Sequence, residues 1–320
     1  MEWTDRIGRR IKLRDLHFLL AVAKSGSMGK AAAELSVSQP VISKAISDLE
    51  RALGVRLLDR SPSGAEPTTY GRALLQCGIA VFDDLRQGVK QLEFLSDPTA
   101  GELRVGCTER GLSGFAAEVV DRFSQQYPRV TLRLIVAEQA LLRDRELRQR
   151  NVELLLMGTE GLGSDADTDT EDLFDDRQVI VAGAQSKWAR RRKIDLQDLI
   201  EEPWILSPTD SSMGSSFEKA FRAAGVEPPE AHIVVTYSLP LCQHLVVTRG
   251  FITMLPISAV RLSKHLPLKV LPITSFNIFR TVGIMTLKNR MLSPLAQLFI
   301  ACAREVAKAH AASNRRRRVG

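Results

Sequence analysis

A chain of 320 residues, 44% hydrophobic and 25% charged, is long enough for more than one buried core and has the composition of a soluble globular protein. Its formal net charge is +7 with a pI of about 9.4, which suits a polyanionic partner, and Arg9, Arg10, Lys12, Arg14, Lys30, Lys44, Arg56 and Arg60 concentrate cations in the first 60 residues. The opening Met1-Glu2-Trp3-Thr4-Asp5 lacks the basic-then-apolar order of a secretory signal, and the most apolar stretch, around Leu241 to Val260, is broken by Arg249. A cytoplasmic protein without a membrane partner is expected.

In chain order, Leu16, Leu19, Leu20 and Ala23 make a helical stripe that Ser25-Gly26-Ser27 ends. Met28 to Leu35 reads as a short helix whose Ala31 and Ala32 allow a close crossing. Ser36-Val37-Ser38 is then a tight turn. Ser38 is placed to cap the next helix, Pro40 sits in its first turn, and Ile42, Ala45, Ile46, Leu49 and Leu53 form its apolar face. The opposite face carries Gln39, Ser43, Lys44 and Ser47. In a major groove, Gln pairs with adenine, Lys with guanine and Ser with several base edges. An ordinary surface helix has the same periodicity, but the preceding helices and short turn make a helix-turn-helix pattern. Gly54 is placed as a C-cap. Val55 to Arg60 and Pro67-Thr68-Thr69 read as two short strands around a polar turn, a wing in which Arg60 and Thr68 would hold phosphate; Thr68 also precedes the next helix and can cap it, with Gly71 and Arg72 just inside.

The spacing of Ala31-Ala32, Ser38-Gln39-Pro40, Ser43-Lys44, Ile46, Leu49-Glu50, Leu53-Gly54, Leu57-Leu58, Arg60, Thr68 and Gly71 resembles the N-terminal signature of the LysR-type transcriptional regulators. The resemblance is specific over residues 11 to 95 and continues, by element order, to about residue 309. Leu58 stands where that family usually has Phe, and Pro67 where it usually has Leu, which ends that strand early. The resemblance implies a homodimer, extending to a homotetramer, that binds double-stranded DNA under control of a small-molecule effector. It implies contact with RNA polymerase if the protein activates.

Residues 70 to 95 carry Leu74, Cys77, Val81, Leu85, Val89, Leu92 and Leu95, a stripe roughly 40 Å long on one helix. Such a helix between domains suits pairing with its copy in a second subunit, as the resemblance also implies. Ser96 to Gly101 reads as a hinge. From Glu102 onward, strand, helix, strand, helix, strand alternate through Leu103–Gly106, Leu112–Phe123, Val130–Val136, Leu141–Arg150 and Val152–Met157. A second such unit spans Gln178 to Leu255, the chain returns through Leu268–Leu271 and Phe276–Leu287, and a helix from Pro294 to about Ala309 closes it. Parallel sheets covered on both faces, in two lobes, are expected. They resemble the effector domain of the same family, and so the periplasmic solute-binding proteins. The expected fold is α/β with an N-terminal all-α winged helix-turn-helix. The expected domains are a DNA-binding domain over 1–69, a dimerisation helix and hinge over 70–100, an effector-binding domain over 101–309 and a disordered basic tail over 310–320.

Ligands in such domains sit at the carboxyl ends of strands, between lobes. Thr108, Arg110 and Ser113 fall there after the first strand, Thr209, Ser211, Ser212 and Met213 in the second lobe, and Thr159 forms a weaker third wall. Arg110 and the two helix starts favour an anion, with carboxylates the first candidates; the alternative is that these hydroxyls only cap helices and that Arg110 pairs with Glu109 or solvent. Asp165, Asp167, Asp169 and Asp176 imitate part of a calcium loop, but Thr170 stands where Gly is needed, so a solvated acidic loop is expected. The four cysteines match no zinc spacing and read as reduced, mostly buried thiols. A redox pair of Cys107 and Cys242 is a minor alternative. No nucleophile elbow or phosphate-cradling loop occurs, so neither catalysis nor a cofactor is expected. The rival reading is a solute-binding protein or small enzyme with a fortuitous helix-turn-helix. Binding to its own upstream DNA separates the two.

Overall fold

The computed structural model describes residues 11–61, 64–160, 165–209, 211–230, 233–274 and 276–318, in two compact units divided between Val89 and Lys90. Arg9 and Arg10 lie outside the described residues.

In the first unit, α1 (Leu13–Ser25), α2 (Met28–Glu34) and α3 (Gln39–Leu53) pack around Leu19, Val22, Ala31, Ile42 and Ile46, all fully buried. Gly26 and Gly54 close α1 and α3 at positive φ of 69° and 74°, where a side chain would be strained. The wing is displaced from its sequence expectation. Its strands are β1 (Leu58–Ser61) and β2 (Gly64–Pro67), with Pro67 opposite Leu58 at the open end. Val55 to Leu57 leave the ladder. Pro67 ends β2, and Thr68 turns to cap the next helix. Leu58 is buried, filling the core position where a Phe was the pattern. A Cβ on Gly71 would sit 2.0 Å from the Leu57 carbonyl oxygen, so only glycine lets the helix start against the wing.

That helix, α4 (Thr69–Ser96), runs the expected length. None of its seven predicted apolar stripe residues is buried. Leu85, Val89, Leu92 and Leu95 are 49%, 54%, 65% and 69% exposed, and Cys77 is exposed rather than buried.

The second unit is one mixed sheet of nine described strands, numbered β3 to β11 in chain order: β3 (Ala100–Cys107), β4 (Arg129–Val136), β5 (Leu154–Gly158), β6 (Thr168–Gly183), β7 (Trp204–Leu206), β8 (Ile233–Val235), β9 (Ile252–Pro256), β10 (Leu268–Val270) and β11 (Ile278–Leu287), in the order β4-β3-β5-β11-β6-β9-β7-β8 with β10 beside β6. β3, β4 and β5 run parallel in one lobe. β7, β8 and β9 run parallel in the other. Both lobes are covered on both faces. Leu154 and Leu156 enter the core around Phe123 and Phe299, while their neighbours Leu155 and Met157 enter the core around Leu142 and Leu147. In the second lobe Trp204 packs with Phe217 and Phe221, and Ile205 faces Cys242 and Val246.

The lobes are joined by β6 and β11, antiparallel throughout with a register shift at Val282/Gly283. Of the acidic positions expected in a solvated loop, Asp165 and Asp167 lie in a turn ahead of β6, whereas Asp169 and Asp176 stand on the strand. On β6, Asp169, Asp172 and Asp175 are exposed and Glu171 is half-buried, while Phe174 and Asp176 turn inward. The helix expected from Leu112 is divided into α5 (Glu109–Leu112) and α6 (Phe115–Gln126). A Cβ at the dividing Gly114 would meet Ser258 Oγ at 2.3 Å. The charged helix at Leu141–Arg150 is a short turn, α7 (Gln139–Leu141), leading into a wide π-type turn at Leu142–Leu147. Then follow α8 (Ser212–Ala223), α9 (Leu239–Arg249), α10 (Ile257–Leu262) and β10. The last helix, α11 (Pro294–Arg318), continues through the stretch expected to be a disordered tail. Alanines 309, 311 and 312 and the long side chains beyond them are good helix formers, and no Gly or Pro intervenes before Arg318.

Lys90, near the end of α4, bonds Glu153 at 2.5 Å, and the other Glu153 oxygen accepts from Ser293 N at the start of α11. With Phe94 packed on the first-lobe core, this fixes the end of α4 to that lobe.

Candidate nucleic-acid interface and effector cleft

Residues on the outer face of α3 remain available. Gln39, Pro40 and Lys44 are exposed, and Ser43 is half-buried. Ser38 has the extended backbone of an N-cap, yet its hydroxyl makes no capping bond, so it too is open at the helix start. Arg60 does not extend freely from the wing. Its Nη1 donates to Ser43 Oγ at 3.3 Å, and its Nη2 donates to Ser47 Oγ at 3.3 Å and lies 3.5 Å from Glu50 Oε2. Glu50 also accepts from Leu57 N and Leu58 N through Oε1, at 2.8 and 3.2 Å, so one carboxylate joins α3, the wing and Arg60. Thr68 takes the capping place that its position before the helix allows. Its hydroxyl donates to the Arg56 carbonyl at 2.7 Å and accepts from Gly71 N at 3.0 Å, which makes it a structural cap.

The cleft between the lobes is a cavity of about 610 Å³, within the range of small-molecule sites. Thr108 and Gly158 bring it to the carboxyl ends of β3 and β5, and Ser207 to the end of β7. Of the expected ligand residues, Thr108, Arg110, Ser211 and Met213 line it. Ser113, Thr159 and Thr209 are absent from its wall, and the Ser212 side chain lies outside the described residues. The absences have local causes. Ser113 donates to the Glu109 carbonyl at 2.8 Å. Thr159 donates to Asp172 at 2.7 Å. The Pro208–Thr209 backbone lies on Gly214, where a Cβ would sit 2.1 Å from Pro208 O, which leaves Thr209 exposed. Even the lining hydroxyls are partly committed. Thr108 accepts from Gly111 N at 3.3 Å, and Ser211 accepts from Gly214 N at 3.0 Å while donating to Pro208 O at 2.5 Å.

The back wall comes from the crossing strands, and sequence reasoning does not find it. Asp176 and Gln178 on β6 are 3% and 2% exposed, and Arg280 on β11 is 7% exposed. Arg280 is held by Glu160, whose Oε2 is 3.7 Å from Nε, and its Nη1 lies 3.8 Å from Met213 Sδ. Burial lowers the pKa of both cleft guanidiniums, and the Arg280 charge pushes Arg110 down further. Arg110 donates from Nη1 to the Met254 carbonyl in the other lobe at 2.6 Å, while its buried Nε has no partner. Its neighbour Glu109 accepts from Leu239 N, also across the cleft, at 2.8 Å. Asp176 accepts from Ser258 Oγ at 2.5 Å and from Ser258 N at 3.4 Å. Burial raises its pKa despite those two bonds.

Cys107, Cys242 and Cys302 are buried free thiols. Burial pushes Cys107 up to about 11, which leaves little thiolate for redox exchange. Among the described residues no group of three or more His, Cys, Asp or Glu is arranged to hold a metal, and no helix is long and apolar enough to cross a membrane.

A winged helix-turn-helix head and a two-lobed α/β domain with a lined cleft define a ligand-controlled transcription regulator. Comparison with known proteins agrees. The family model for the bacterial regulatory helix-turn-helix protein, lysR family, matches residues 13–72, and that for the LysR substrate binding domain matches residues 96–308. The chain belongs to the LysR family of DNA-binding transcriptional regulators. It is 26% identical to the HTH-type transcriptional regulator YdcI of Escherichia coli (strain K12), over 95% of this chain and 99% of that one. It is also 26% identical to the HTH-type transcriptional regulator GbpR of Azospirillum brasilense, over 92% and 86%. A full-length OxyR point variant from Pseudomonas aeruginosa shares the fold at a TM-score of 0.66, with 23% identity over 93% and 95% of the chains. CbnR, a LysR family transcriptional regulator, shares it at 0.63, with 20% identity over 93% and 99%.

Proposed function

We propose that this regulator reads its operator with the start of α3 and is controlled by a small carboxylate held in the cleft. The observation that carries the effector reading is the pair of desolvated guanidiniums, Arg110 and Arg280, on one 610 Å³ cavity. A carboxylate between them would relieve their mutual repulsion and use the Arg110 Nε that the protein leaves unmatched. Arg110 already bonds Met254 of the opposite lobe, so a carboxylate on the same guanidinium adds contacts that favour the closed arrangement. A ligand shifts that equilibrium only by its difference in affinity for the two arrangements.

Residues 1–69 would bind DNA, residues 70–100 would pair two subunits, and residues 101–309 would sense the effector. The pairing rests on the exposed Leu85, Val89, Leu92 and Leu95 of α4. A solved relative, full-length CbnR complexed with its target DNA, supports a DNA-bound state for this fold. Lys90–Glu153 and Phe94 would carry lobe movement into α4. The protein acts in the cytoplasm on this reading.

The test combines thermal shift across small carboxylates with gel shift on the protein's own upstream DNA. A stabilising carboxylate whose effect vanishes in Arg110→Ala, with operator binding by the unliganded protein intact, is the expected result. Equal ligand affinity in wild type and Arg110→Ala moves the effector elsewhere.

A further inference from the structure

The polar lining of the cleft specifies more than a negative charge. Gln178 lies on β6 at the back of the cavity and is 2% exposed. Its Nε2 donates to the Asp176 backbone carbonyl at 3.2 Å. That bond fixes which way the amide points, because the flipped amide would set two carbonyl oxygens against each other. The Gln178 Oε1 is therefore an acceptor, and it is buried without a partner. A buried polar atom left unpaired is costly, and such atoms gather where a ligand completes the bonding. Among the described residues that line the same cavity, one other carries an orphan of this kind, Arg110 at its Nε, a donor. The two orphans are complementary demands: a ligand must offer an acceptor to one and a donor to the other.

Resting on the carboxylate reading above, we propose that the effector is a carboxylate that also carries a hydrogen-bond donor, a hydroxyl or an amino group, and that Gln178 Oε1 receives this donor. The carboxylate sits at Arg110 and Arg280, and Phe115, Leu156 and Val282 supply the apolar wall for the carbon skeleton. Gln178 is then the residue that separates hydroxy or amino acids from plain acids of the same shape. A site built to bond a donor rejects the analogue that lacks it, because its own acceptor stays unpaired.

Matched sets of probes test this by thermal shift and calorimetry on the full chain. One set is butyrate, 3-hydroxybutyrate and 3-aminobutyrate, and the other is benzoate, 3-hydroxybenzoate and 3-aminobenzoate. In wild type a donor-bearing member should bind about tenfold or more tightly than its plain parent, the worth of one buried hydrogen bond. A charged ammonium preferred over hydroxyl in the first set identifies an amino acid effector, and the reverse a hydroxy acid. Gln178→Leu should erase the preference by strengthening the plain acids and weakening the donor-bearing ones. Should that variant fail to fold, the wild-type ratios and Gln178→Met carry the same comparison. Equal binding of parent and derivative, both lost in Arg110→Ala, overturns the donor inference and leaves the carboxylate reading standing. No binding by any member of either set overturns both.

Discussion

The outer face of α3, proposed to read DNA, and the cleft proposed to hold the effector are encoded in the same sequence, yet they are legible there to very different degrees. On α3 the residues singled out lie within one and a half turns of a single helix, and the expected ones, Gln39, Pro40, Ser43 and Lys44, stand on its outer side. Periodicity alone decides such a face, because 3.6 residues per turn leaves little freedom once Ile42, Ile46 and Leu49 are buried. The cleft is built from strand ends far apart in the chain. Arg110, Asp176, Gln178 and Arg280 meet because β6 and β11 cross between the lobes. No local pattern announces that crossing. The acidic run before Phe174 even disguises β6 as a loop. Local surfaces are readable one element at a time, whereas a cleft needs the topology first.

The second difference concerns which polar groups the protein uses for itself. Thr68, Ser113, Thr159 and Ser211 all commit their hydroxyls to nearby backbone or carboxylate partners. Ser and Thr favour such local bonds, so position near a strand end is weak evidence for ligand contact. The fold itself is legible in outline: two parallel lobes, the long α4 and the closing helix all follow from period and turn signals. The division at Gly114 and the one-turn length of α5 escape, because both depend on Ser258 packing from a distant segment.

If local helix faces are the reliable part of the reading, the exposed stripe of α4 is its most severe test. Leu85→Glu with Leu92→Glu places charge at the centre of the expected dimer contact. Sedimentation should show monomer in place of dimer, and operator affinity should fall by at least an order of magnitude, since two heads no longer bind as one. An unchanged mass in the double variant removes α4 as the interface.

The α3 face is tested next. Gln39→Ala should weaken operator binding by about 1–3 kcal/mol, the usual worth of a good base-edge pair, while binding to a scrambled duplex hardly changes. Equal losses on both duplexes would mean that this helix start holds DNA without reading it.

On the cleft side, Asp176→Asn probes the buried acid through pH. Burial raises the carboxyl pKa in the folded protein above its unfolded value. The wild type therefore gains stability from this group at low pH and loses it as pH rises through the folded pKa. Asparagine cannot ionise, so the variant's Tm relative to wild type should climb between pH 4 and pH 8. A climb of about 2–4 °C corresponds to roughly 1 kcal/mol in a unit of this size. A constant offset across that range, from losing one Ser258 bond alone, would mean that Asp176 titrates as it does in solvent.

Arg60 gives the smallest effect and joins the two halves of the comparison, since it is a wing residue that the structure folds back onto α3. As a phosphate ligand, each Arg60 side chain would release close to one counterion, so Arg60→Ala would flatten the log–log salt dependence by about 0.9 per head on any duplex. As a brace, its bonds to Ser43 and Ser47 hold those hydroxyls and its contact with Glu50 neutralises a carboxylate beside the face proposed to meet DNA. Losing the brace would lower operator affinity with no change of slope on scrambled DNA. Its side chain is nonetheless 41% exposed, and Glu50 is tied by two backbone amides whether or not Arg60 is present. The expected result is therefore a slope loss on both duplexes with a small additional loss on the operator. Binding curves on operator and scrambled DNA across a salt series separate the contributions, and a slope unchanged on both would leave Arg60 as a brace alone.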